Sequence, residues 1–116
     1  MTTPITFDIN DGDGVTLVRV GEGIFTDNRD PLLTALLHLA DTPGTGIVVD
    51  LSDVPLCDSG ALNMLVQVHQ RVTATGGSLR LINPQPMVAN ILNVTNLDRL
   101  IPIDTDASDD AEGNRK

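Results

Sequence analysis

Two periods of apolar and polar residues take turns along this chain. Ile5-Thr6-Phe7-Asp8-Ile9 alternates apolar with polar, which predicts a half-buried strand. Asn10-Asp11-Gly12-Asp13-Gly14 is turn chemistry, and Val15 to Val20 is a second apolar-rich strand, so the pair predicts a hairpin. The period then becomes helical. Asp30-Pro31 reads as an N-cap followed by proline at the first helical position, and Leu32, Leu33, Leu36, Leu37 and Ala40 give a broad apolar face. Pro43-Gly44-Thr45-Gly46 stops that helix.

Residues 47–72 form the central unit. Ile47-Val48-Val49 is a flat apolar run, and such a run is what a parallel strand covered on both faces requires. A loop from Ser52 to Asp58 follows, then Ser59-Gly60, then a helical stripe of Ala61, Leu65, Val68 and Val72, widened by Leu62 and Val66. Asn63, Gln67, Gln70 and Arg71 fall away from that stripe. Asp58 or Ser59 can accept hydrogen bonds from the free N–H groups that begin the helix. The unit therefore sets a hydroxyl and a carboxylate at a positive helix end.

Gly76-Gly77 closes this helix, and Leu79 to Ile82 predicts another strand. Pro84 and Pro86 mark a loop and a helix start, with Val88, Ile91, Leu92 and Thr95 on one face. Asn96 fits a left-handed C-cap, and Ile101-Pro102-Ile103 reads as a short edge strand. The order is ββαβαβαβ. Its alternation predicts an α/β domain over residues 1–103, a mixed and mostly parallel sheet covered by helices. Residues 104–116 are polar and acidic, and read as a disordered tail.

Composition narrows the function. A chain of 116 residues has the length of one domain, able to bury roughly two thirds of its unfolded surface. With two Phe and no Trp or Tyr, the core is aliphatic. The net charge of −9 repels phosphate backbones and there are no stacking platforms, so neither nucleic acid nor an anionic membrane surface is expected as a partner. The single Cys57 excludes an internal disulfide framework. No apolar run approaches ~20 residues and no signal peptide is visible, which reads as a cytoplasmic protein.

Candidate chemistry is sparse. His38 and His69 lack metal-ligand neighbours, and the Asn10–Gly14 stretch lacks the later carboxylates of a calcium loop, so no metal is expected. Cys57 reads as a small buried hydrophobe rather than a redox group. Cys57, Asp58 and Ser59 sit together, but no base is adjacent and no glycine-rich phosphate loop is present, so neither enzyme nor cofactor is expected.

Several stretches together resemble the STAS domain, the fold of sulfate-transporter cytosolic segments and bacterial anti-sigma factor antagonists. Val48-Val49-Asp50-Leu51-Ser52-Asp53-Val54 is similar to the family's strand and "DLSxV" turn. Cys57-Asp58-Ser59 and Leu62 resemble its "D-S-S-G-L" loop, and Gly76 to Leu81 and Asn96 to Leu100 resemble later landmarks. The resemblance implies a bacterial protein-binding module in a partner-switching system that controls transcription. In it, the second loop hydroxyl is phosphorylated by a kinase-like anti-sigma factor, and the added charge blocks docking.

Aligning Asp58-Ser59 on the first two loop residues places Gly60 at the usual acceptor and leaves Ser59 as the only hydroxyl in Asp58-Ser59-Gly60, and so a candidate phosphorylation site. The family's Asp near Ile24, in a stretch resembling "GELD", is also missing from Gly21-Glu22-Gly23-Ile24. Weak or absent phosphorylation is the expectation from that alignment. Asp53, Asp58, Ser59, Gly60, Asn63, Met64 and Gln67 are the expected partner-binding residues. Asp58 and Ser59 equally suit plain helix caps, and Met64 equally suits the edge of the core. The alternative function is a non-switching STAS subunit of a larger assembly such as a lipid-transport complex. The oligomeric state is left open.

Overall fold

The computed structural model describes residues 5–104; the acidic segment from 105 onward lies outside the described residues. Strands β1 (Phe7–Asp11) and β2 (Val15–Val20) form the hairpin. Helix α1 (Asp30–Ala40), β3 (Gly46–Asp50), α2 (Ser59–Ala74), β4 (Ser78–Ile82), α3 (Pro86–Val94), the short α4 (Leu97–Leu100) and β5 (Ile103–Asp104) follow. The five strands lie in chain order, with β1 antiparallel to β2 and the rest parallel. The single domain with a mixed, mostly parallel sheet is as the sequence predicts, and β3 is its central strand.

The expected covering of both sheet faces needs correction. Adjacent parallel strands joined in unreversed order by right-handed crossovers place every helix on one face. Burial follows that rule: Val18, Val20, Ile47, Val49, Leu79 and Leu81 are buried, whereas Leu17 and Val48 are half-buried and Arg19 and Arg80 exposed. Leu17 and Val48 are cross-strand partners. The apolar run at Ile47–Val49 thus marks a buried face plus one cross-strand contact, since β-branched residues suit any pleated, half-buried surface.

The helices bury their stripes against the inner face. Leu32, Leu36 and Ala40 of α1, and Ala61, Met64, Leu65, Val68 and Val72 of α2, are all at most 3% exposed. Each large aliphatic side chain so buried contributes about 1.5–3 kcal/mol, and the buried core is aliphatic, with Phe7 packed against its edge.

Three boundaries depart from the sequence reading. Asp30 does not cap α1; it is the first helical residue, and Arg29 at the cap position has helical dihedrals and no side-chain cap. The N–H groups of Asn28 and Arg29 both donate to Phe25 C=O, so the chain is already wound before the helix and never takes the extended form that a side-chain cap needs. Asn96 is left-handed as expected (φ 62°), but it leads straight into α4 rather than into a loop. The last strand is Ile103–Asp104, and Asp104 pairs with Arg80 at 3.0 Å rather than beginning the tail.

Candidate functional site

The parallel strands all end on one side of the sheet, and the loops after β2 and β3 meet there. They are joined as an extra rung of sheet: Ile24 bridges Cys57, Ile24 N–H donates to Leu56 C=O and Asp58 N–H donates to Ile24 C=O. Asn28 braces the first loop from within. Its Oδ1 accepts from Phe25 N–H (2.8 Å) and its Nδ2 donates to Gly23 C=O (3.0 Å).

Asp58 is the hinge of this junction. Its backbone is extended, and it is the N-cap of α2, with Oδ1 accepting from Ala61 N–H at 3.2 Å. Its other oxygen, Oδ2, accepts from both the N–H (2.9 Å) and the hydroxyl (3.0 Å) of Thr26. These donors, the Thr26 N–H foremost, hold its pKa below the ordinary aspartate value.

Ser59 follows as the first residue of α2 and is exposed. Asp58 holds the capping role, so the Ser59 hydroxyl has no hydrogen-bond partner among the described residues. Gly60 is buried beneath the other loop. A Cβ there would collide with the Thr26 hydroxyl and come within 2.8 Å of Thr26 Cα. Cys57 is buried, and burial, followed by the Asp58 carboxylate, raises its thiol pKa, which leaves it a weak nucleophile.

Apart from Asp58, the half-buried cap, the expected partner residues divide into three groups. Ser59, Asn63 and Gln67 recur every fourth position and share one exposed face of α2. Asp53 is exposed but elsewhere, lining a shallow cleft with Asp8 and Arg19 at the hairpin side. Gly60 and Met64 are not surface residues. Met64 is fully buried, a correction to its place in the contact face. It stands three residues after Ala61 and four before Val68, a spacing that carries it onto the core side of the stripe rather than outside it.

Three residues at this junction have no counterpart in the sequence reading. Thr26 lies 32 positions before Asp58, and no local pattern joins them. Leu56 leaves 43% of its surface exposed beside the loop. Arg29 has Nε and Nη1 buried with no hydrogen-bond partner among the described residues. No group of three metal-ligating side chains occurs among the described residues, and no helix among them is long and apolar enough to cross a membrane.

This architecture is shared with known proteins. A Thermotoga neapolitana protein provisionally named an anti-sigma factor antagonist is 39% identical over 57 residues, 49% of this chain and 50% of that protein. The chain thus spans about half the length of the curated relatives it matches. A crystal structure from Thermotoga maritima, given the same provisional name, superposes with a TM-score of 0.79 at 26% identity, covering 89% of both chains. An anti-sigma factor antagonist from Mycobacterium paratuberculosis gives 0.74 at 27% identity, covering 94% of both. The STAS domain family model matches residues 6–109, and the chain belongs to that family.

Proposed function

We propose that this domain is an anti-sigma factor antagonist that docks a kinase-like anti-sigma factor through the start of α2, with Ser59 as the phosphoryl acceptor. The observation that carries this reading is the free, exposed Ser59 hydroxyl beside a carboxylate that already caps the helix. A hydroxyl engaged as a cap would have to leave that bond before reacting, and Ser59 has none to leave.

Gly60 supports the same register. The "D-S-S-G-L" pattern contains one glycine, and position 60 is where a side chain has no room. Setting Gly60 on that glycine puts Ser59 on the second hydroxyl of the pattern, Asp58 on the first and Cys57 on the acid, and it moves the pattern's leucine from Leu62 to Ala61. In this proposed register phosphorylation falls on Ser59, whereas the alignment that keeps Leu62 on the leucine puts Gly60 at the acceptor and leaves phosphorylation weak or absent.

The docking face is Ser59, Asn63 and Gln67 with exposed Leu56 as its apolar anchor. Phosphorylation places about two negative charges beside Asp58, and the like charge and its hydration oppose docking. Binding with no chemistry of its own is the role this assigns to the domain.

The test uses kinase-like anti-sigma factors from the source genome, each purified and incubated with this protein and ATP. Intact-mass analysis should show one phosphoryl group on the wild type and none on Ser59→Ala. Stable complexes that never phosphorylate Ser59 would instead favour a non-switching subunit of a larger assembly.

A further inference from the structure

We infer that Thr26 is a positioning residue for this site: it fixes Asp58 as the cap of α2 and thereby keeps the Ser59 hydroxyl free for the partner. What Ser59 then does rests on the function proposed above; the positioning itself rests on geometry alone.

A carboxylate at a helix start has several ways to satisfy itself, and a neighbouring serine competes for the same N–H groups. Here the competition is settled from outside the helix. Thr26 supplies two donors to one oxygen, Asp58 Oδ2, which turns Oδ1 toward Ala61 N–H. The cap position is then filled, and the adjacent hydroxyl is left over. The donor pair is held in place because the Thr26 loop is itself fixed, by the Ile24–Cys57 bridge on one side and the Asn28 brace on the other.

Thr26 also fixes where α2 starts. Its Oγ1, Cα and Cβ crowd the space where a Cβ of residue 60 would stand, which leaves the first turn little room to slide toward the loop. Reactive groups must be held to within about an ångström for efficient transfer, and a helix start free to slip by one residue would not do so. Thr26 touches the carboxylate and the helix backbone. It contributes no atom to the transfer.

The hydroxyl can be removed with the shape kept. Thr26→Val takes one donor from Asp58 Oδ2, and Thr26→Ser restores it. Carbon-detected NMR titration of Asp58 reads the latch directly, and amide exchange of Ala61 reads the cap. We expect the Asp58 midpoint to rise in Thr26→Val and return in Thr26→Ser, with Ala61 exchange faster only in the former. Asp58→Asn breaks the latch from the other side and serves if Thr26→Val fails to fold: its amide N–H₂ confronts the Thr26 donors, and Ala61 exchange should quicken.

With the kinase-like partner and ATP, Thr26→Val should be phosphorylated about tenfold or more slowly at Ser59, with Thr26→Ser near the wild type. An Asp58 midpoint and Ala61 exchange unmoved by Thr26→Val would overturn the inference. So would unmoved Ala61 exchange in Asp58→Asn. A latch lost in Thr26→Val and restored in Thr26→Ser, in a protein whose Ser59 no partner phosphorylates, would uphold the positioning and overturn the proposed function.

Discussion

Thr26 and Gly60, 34 positions apart in sequence, are packed so that Thr26 Cβ lies 2.9 Å from where a Cβ of residue 60 would stand. The contact joins the loop after β2 to the first turn of α2, and it makes glycine a requirement rather than a convenience. Gly60 has an ordinary helical backbone, so the requirement is one of space and not of dihedral angle.

That packing predicts the cost of any side chain at position 60. Gly60→Ala should destabilise the domain by about 1–3 kcal/mol, the usual penalty of overpacking, despite the better helix propensity of alanine. Thermal unfolding would show it as a drop of several degrees. Thr26→Ala in the same chain should recover part of the loss by removing Oγ1. The recovery should be incomplete, because Thr26 Cα remains within 2.8 Å. Full stability in Gly60→Ala alone would mean that the loop yields and the contact constrains nothing.

Met64 and its neighbours separate folding from docking. Met64 is fully buried, so Met64→Ala should cost about 2–5 kcal/mol, and Met64→Asp should prevent folding by burying an unpaired charge. Asn63→Ala and Gln67→Ala alter exposed positions and should change stability by no more than about 0.5 kcal/mol. Their effect should appear in affinity for the kinase-like partner, measured by calorimetry. Weak binding by a Met64 variant would report unfolding and should be checked by circular dichroism first.

Much of this was written in local pattern. Both strand periods, the stripes of α1 and α2 and the left-handed Asn96 follow from residues within a few positions of one another. The exposed face of α2 follows too, because Ser59, Asn63 and Gln67 fall on its polar side. The junction was not legible in the same way. Thr26 is one threonine among several, and its importance comes from pairing with a carboxylate beyond a helix and a strand. Burial of Gly60 likewise depends on that distant loop. The one-sided sheet was hidden because Val48 has the same residue type as its buried neighbour Val49. Met64 is different: it reads as core edge or contact surface because methionine suits both, although its spacing from Ala61 and Val68 fits the core in which it lies.

Arg29 carries a testable cost. Its Nε and Nη1 are buried with no acceptor among the described residues. Desolvated donors without partners are unfavourable, and replacing such a group by an apolar side chain of similar length is often neutral or stabilising. Arg29→Met should therefore leave the melting temperature unchanged or raise it, while α1 keeps its start because Arg29 contributes backbone and no side-chain cap. A marked fall would show that the guanidinium is bound by an acceptor in solution.

Asp58 should make stability depend on pH in a definite direction. Its pKa is lowered in the folded protein, chiefly by the N–H of Thr26; desolvation opposes this, and the N–H of Ala61, the Thr26 hydroxyl and the N–H of Gly60 add to the lowering. A carboxylate with a depressed folded pKa contributes stability that is fully present above its unfolded value of about 3.9. That contribution is lost as pH falls through the folded value, because the protonated acid gives up its charge-assisted bonds. At neutral pH, Asp58→Ala should melt at a lower temperature than wild type. As pH is lowered below about 4, the two curves should converge. Ser59→Ala should show neither effect, since its hydroxyl makes no bond among the described residues, and it should track the wild type at every pH. Curves for wild type and Asp58→Ala that stay a constant distance apart down to the acid limit would show that the cap acts through packing rather than charge. A Ser59→Ala curve that fell with Asp58→Ala would mean that the serine shares the cap, and would remove the free hydroxyl on which docking at this site depends.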